Sequence, residues 1–67
     1  MDDLRPIRTF LEVADLLSFS AAARSLGMTP ASVTRIVAAL EKSLGAQLLL
    51  RTTRQVSLTA EGAAIAA

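Results

Sequence analysis

Sixty-seven residues without a cysteine or a histidine exclude disulfides, thiol chemistry, the usual zinc ligands and the common neutral-pH proton shuttle. A composition that is 52% hydrophobic, 19% charged and 3% aromatic is globular, too short for two cores, and requires an aliphatic, alanine-rich, helical interior. The formal net charge of +1 is unevenly spread, and no uncharged run nears the roughly 18 residues of a membrane span, so a soluble, cytoplasmic chain is expected.

Leu4, Ile7, Phe10, Leu11, Val13, Ala14 and Leu17 recur at three- and four-residue steps and predict an amphipathic scaffold helix from about Leu4 to Leu17. Pro6 is tolerated in its first turn, and Asp2 and Asp3 suit the positive end of the helix dipole. Those two acids also give the opening residues nothing of the form of a signal peptide. Ser18-Phe19-Ser20 breaks the periodicity and offers two N-cap candidates. A short helix of Ala21 to Leu26 follows, stopped by Gly27, and its three alanines allow another helix to approach closely.

The clearest helix runs from Pro30 to Leu44. Thr29 is a good N-cap, Pro30 suits the first helical position, and Gly45 follows the end, where a left-handed cap residue is wanted. Val33, Ile36, Val37, Leu40 and Leu44 form the stripe expected to face the core. Ala31, Arg35, Ala38 and Lys42 project the other way, with Thr34 and Ala39 beside them and Glu41 to one side. This small, hydroxylic and basic face suits an anionic surface. Ala23, Gly27 and Val33 occupy the small, turn and β-branched positions at the spacing of a helix-turn-helix, whose second helix enters DNA.

Beyond Gly45, the run from Gln47 to Arg51 reads as a short strand, Thr52 to Gln55 as a turn, and Val56 to Leu58 as the returning strand. Residues 48–58 are therefore a wing, with Arg51 at its base and Arg54 at its tip. Thr59 is the N-cap candidate of a last helix from Ala60 to Ala67, in which Glu61 suits the dipole and Gly62 weakens the helix. That helix spans about 12 Å and ends in mid-pattern, as a fragment of a longer protein would.

The charge follows the same division. Arg5 and Arg8 stand against Asp2, Asp3, Glu12 and Asp15 in residues 1–23, a balance of −2. Arg24, Arg35, Lys42, Arg51 and Arg54 stand against Glu41 alone in residues 24–59, a balance of +4 and the footprint of a nucleic-acid reader. The remaining carboxylates lie mainly on the scaffold helix and no two converge on a cleft, so no enzymatic activity, cofactor or metal is expected. Nor are the charges gathered on one helix face, as a membrane-active peptide requires.

Five segments in this order resemble the N-terminal DNA-binding domain of LysR-type transcriptional regulators. They are F-L-E-V-A from Phe10, S-F-S-A-A-A-R-S-L-G from Ser18, T-P-A-S-V-T-R-I-V-A-A-L-E from Thr29, S-L-G-A-Q-L-L-L-R-T-T-R from Ser43, and V-S-L-T-A-E-G from Val56. The resemblance implies a mainly α winged helix-turn-helix: a three-helix core, a two-stranded wing and the start of a fourth, linker helix. Residues 1–59 would form the DNA-binding domain and residues 60–67 the start of the helix that pairs two subunits. A C-terminal inducer domain would follow. Helix 30–44 would enter the major groove of double-stranded DNA and wing 48–58 an adjacent minor groove. The positions expected at DNA are Thr29, Pro30, Ala31, Ser32, Thr34, Arg35 and Lys42 on the helix, and Arg51, Thr53 and Arg54 on the wing.

The sequence departs from the family at Leu49, where Phe is frequent, and at Ile36, Ala38 and Ala39, where polar or basic residues are common. Fewer polar arms imply fewer phosphate contacts. The alternative reading is a protein–protein module, with Ala31, Ala38 and Ala39 seating a partner helix. Its binding would be insensitive to salt, whereas phosphate contacts are steeply salt-dependent. Residues 60–67 are too short a piece of the pairing helix for more than weak self-association.

Overall fold

The computed structural model describes residues 4–51 and 55–66, so Asp2, Asp3, Thr53, Arg54 and Ala67 lie outside the described residues. In chain order come α1 (Arg5–Leu16), α2 (Phe19–Leu26), α3 (Pro30–Leu44), β1 (Leu49–Arg51), β2 (Val56–Leu58) and α4 (Ala60–Ala66). The first three helices pack pairwise into one body. The two strands form an antiparallel sheet in which Leu49 faces Leu58, Leu50 faces Ser57 and Arg51 faces Val56.

The helix ends follow local chemistry. Ser18 is extended and its hydroxyl accepts from the Ala21 amide at 3.1 Å, so Ser18, of the two serines, is the cap, and α2 starts at Phe19 rather than Ala21. Thr29 accepts from the Ser32 amide at 3.2 Å and Pro30 opens α3, as its sequence predicts. Gly27 and Gly45 end their helices at φ +69° and +66°, a conformation that costs glycine little. Leu17 adopts φ +52° at the end of α1 without that freedom. It is a cap residue, half exposed, and not part of the buried stripe.

Phe10, Val13, Ala22, Ala23, Val33, Val37, Leu40, Leu48 and Leu49 make the core. Full burial of a side chain such as Phe10 stabilises by roughly 1.5–3 kcal/mol. Ala22 and Ala23 are buried because their small side chains bring α2 against its neighbours. Four apolar residues expected on core stripes are exposed. Leu4 precedes α1, and Leu44 lies in the last turn of α3. Leu17 is the cap already described. Leu11 borders a groove of about 410 Å³ with Ala14, Asp15, Leu58 and Ala66. Thr9, a polar residue of α1, is buried beside Phe10 in the chain. Among the described residues no buried side-chain nitrogen or oxygen lacks a partner.

Strand β1 begins two residues later than the apolar run predicts, and the backbone groups around its start are held by Glu41 and Thr59. Glu41 Oε2 accepts from the amides of Leu48 and Leu49 at 2.8 and 3.1 Å. The Thr59 hydroxyl donates to the Gln47 carbonyl at 2.5 Å, and the Thr59 amide donates to the Leu48 carbonyl at 3.0 Å. Thr59 also caps α4, its oxygen accepting from the Gly62 amide at 3.0 Å. Gly62 is more than a weak helix former. A Cβ there would stand 2.0 Å from the Leu48 carbonyl oxygen, so the absence of a side chain lets α4 lie on this backbone.

Candidate nucleic-acid interface

The exposed side of α3 is set by the burial of its other side. Val33, Val37 and Leu40 are in the core, which turns Ala31, Arg35, Ala38 and Lys42 to solvent, each about one helical turn from the next. Thr34 and Ser32 lie beside this row, half-buried. Ile36, expected in the core, is also half-buried, on the flank of the stripe. At the start of the helix Thr29, Pro30 and Ala31 are exposed, and the Thr29 hydroxyl donates to Ser32 Oγ at 2.9 Å. The N-terminal turn of α3 is thus an ordered edge of hydroxyls and small side chains.

The base of the wing joins that surface. Arg51, the last residue of β1, is exposed and extends back to α3, where Nη1 donates to Thr34 Oγ1 at 3.4 Å. Its guanidinium carbon lies 4.4 Å from the centroid of the Phe19 ring at the start of α2, in cation–π range. Beneath it is a shallow cleft of about 220 Å³, bordered among others by Val37, Ala38, Glu41 and Gln47. Gln47 donates from Nε2 to the Leu49 carbonyl at 3.0 Å, fixing the approach to β1.

Thr29, Pro30, Ala31, Ser32, Thr34, Arg35, Lys42 and Arg51 therefore lie on or beside one face, with Thr34 and Arg51 in direct contact. Thr53 and Arg54, the wing-tip residues expected at DNA, lie outside the described residues. Sequence reasoning missed Phe19 and Glu41. Glu41 had a signal, as the single acid of a basic segment. Phe19 had none, because its partner comes from a distant strand. Among the described residues no group of acidic side chains could hold a metal ion, and no helix is long and apolar enough to cross a membrane.

Residues 4–63 match the family model of bacterial regulatory helix-turn-helix proteins of the lysR family. The chain is 50% identical over 62 residues to the uncharacterized HTH-type transcriptional regulator YhjC of Escherichia coli (strain K12), covering 92% of this chain and 21% of that protein. It is 53% identical over 57 residues to the HTH-type transcriptional regulator CrgA of Neisseria meningitidis serogroup B, covering 85% and 19%. The chain thus spans about a fifth of the length of these relatives. Its fold superposes with TM-score 0.91 at 37% identity on the BenM DNA-binding domain in its complex with catB site 1 DNA, covering 97% of this chain and 72% of that one.

Proposed function

The chain belongs to the lysR family of bacterial regulatory helix-turn-helix proteins and is a DNA-binding domain of that family; from that premise we propose how its residues divide the work of reading DNA. Helix α3 enters the major groove. Thr29, Pro30, Ala31 and Ser32 lead, Thr34 and Arg35 reach base edges, and Lys42 meets a phosphate. The wing follows an adjacent minor groove with Arg51, Thr53 and Arg54. The observation that carries this reading is the contact between Arg51 and Thr34, which makes the wing base and the exposed row of α3 one continuous surface.

Charge attraction supplies affinity common to all sequences, and contacts at base edges supply discrimination. In the parent regulator, α4 begins a linker helix that pairs two subunits, so that two heads read half-sites about one helical turn, or a multiple, apart. A C-terminal domain there binds a small-molecule inducer, and the protein works in the cytoplasm.

The test is a titration of the domain with a pool of duplexes at low and moderate salt, with Arg35→Ala alongside. Arg35→Ala is expected to flatten base preference and cost about 1–3 kcal/mol on preferred duplexes, if the guanidinium pairs with guanine. Binding that ignores salt, or a variant with the parent's preference, would overturn these assignments in favour of a protein partner or a different reading residue.

A further inference from the structure

We propose that Phe19 is a positioning residue for DNA recognition: its ring, with the Thr34 hydroxyl, holds the Arg51 guanidinium against α3 before DNA arrives. The proposal rests on the reading above that Arg51 contacts DNA.

Phe19 is well placed to act as a fixed platform. It is the first residue of α2, whose start is set by the Ser18 cap, and it is half-buried against the core. The ring therefore does not follow the wing. Arg51 is anchored at the other end, through its backbone pairing with Val56 in the sheet. Between these anchors the side chain meets two elements at once, the ring at 4.4 Å and Thr34 Oγ1 at 3.4 Å. The nearby acid does not divert it. Glu41 borders the same cleft, and its Oε2 is engaged by the amides of Leu48 and Leu49.

The physical advantage is preorganisation. An exposed arginine on a short strand samples many rotamers and surrenders that freedom when it docks on a phosphate or in a groove. Stacking on an aromatic face narrows the choice beforehand, and leaves the outward N–H groups of the guanidinium for DNA. Phe19 itself need not touch the duplex.

The experiment combines a binding cycle with a spectroscopic readout. Affinity for a labelled mixed-sequence duplex is measured by fluorescence anisotropy for the parent, Phe19→Leu, Phe19→Tyr, Arg51→Ala and the Phe19→Leu/Arg51→Ala pair. Folding is checked by circular dichroism. Phe19→Leu is expected to weaken binding about 2- to 5-fold, the size of an exposed cation–π contact, and Phe19→Tyr to retain parental affinity. In the Arg51→Ala background, Phe19→Leu should cost nothing more. In the free parent domain the Arg51 side-chain protons should show upfield ring-current shifts that Phe19→Leu abolishes.

Additive losses in the double variant would overturn the positioning role while leaving Arg51 as a DNA contact. An Arg51→Ala variant that binds like the parent would overturn the contact, and the positioning role with it. Should Phe19→Leu fail to fold, Phe19→Tyr and the ring-current shifts of the parent decide alone. Unshifted Arg51 protons refute the platform.

Discussion

Around α2 and α3 each helix start is closed by a near neighbour in sequence. Ser18 meets the amide of Ala21, and Thr29 meets the amide of Ser32, each three residues on. Around the wing the bonds reach much farther, although α4 keeps a local cap at Thr59. Glu41 holds amides seven and eight residues away, Thr59 holds a carbonyl twelve away, and Arg51 meets Thr34 across seventeen. The reason is the size of the elements. Two three-residue strands make a hairpin too small to be stable alone, so its position depends on side chains of the helical body. Helix α3 largely shapes itself, whereas the wing is shaped by its attachments.

Substitutions at the attachments test this contrast hardest. Gly62→Ala places a methyl group against the Leu48 carbonyl, where backbone has to move, and is expected to cost about 3 kcal/mol. A fall in thermal midpoint with faster exchange of the Thr59 amide is the expected result. An unchanged midpoint would mean that α4 is not held down at Leu48.

Glu41→Ala comes next, at about 2 kcal/mol, since it leaves two amides without their carboxylate partner. Hydrogen exchange should quicken at Leu48 and Leu49 while amides in the middle of α3 keep their protection. Equal loss of protection in both regions would erase the distinction between a self-determined helix and an attached wing.

The smallest effect is expected at the cap. Thr29→Ala should cost about 1 kcal/mol and loosen the first turn of α3, with the wing amides unaffected. A wing that loosened equally would show the two regions to be one cooperative unit. These effects on stability are separate from the loss of base preference expected for Arg35→Ala, whose exposed side chain lies on the outer row of α3.

The residues explain why one region was readable and the other only in outline. The bounds of α3, its two caps and its exposed row follow from Thr29, Pro30, Gly45 and a 3.6-residue period, all confined to one stretch of chain. The hairpin was legible from its alternation, with its first strand two residues too long, and the bonds that hold the backbone around its start come from Glu41 and Thr59. Gly62 read as a helix defect, since helix propensity considers one segment and not the carbonyl lying across it. Leu44 and Leu11 read as core because periodicity marks an apolar face without saying which of its residues the fold covers.

Local chemistry in the chain was enough to set the order of the elements, both ends of α3 and the stop of α2 through their caps, and the outer row of α3 formed by Ala31, Arg35, Ala38 and Lys42. Those depend on interactions within about one helical turn, which the chain makes wherever it finds itself. It took the packed fold to rest Arg51 on Phe19 and Thr34, to bring Glu41 to the start of β1 and to lay α4 on Leu48 at Gly62. Each joins groups from separate elements, and no local preference encodes the distance between them until the core has brought those elements together.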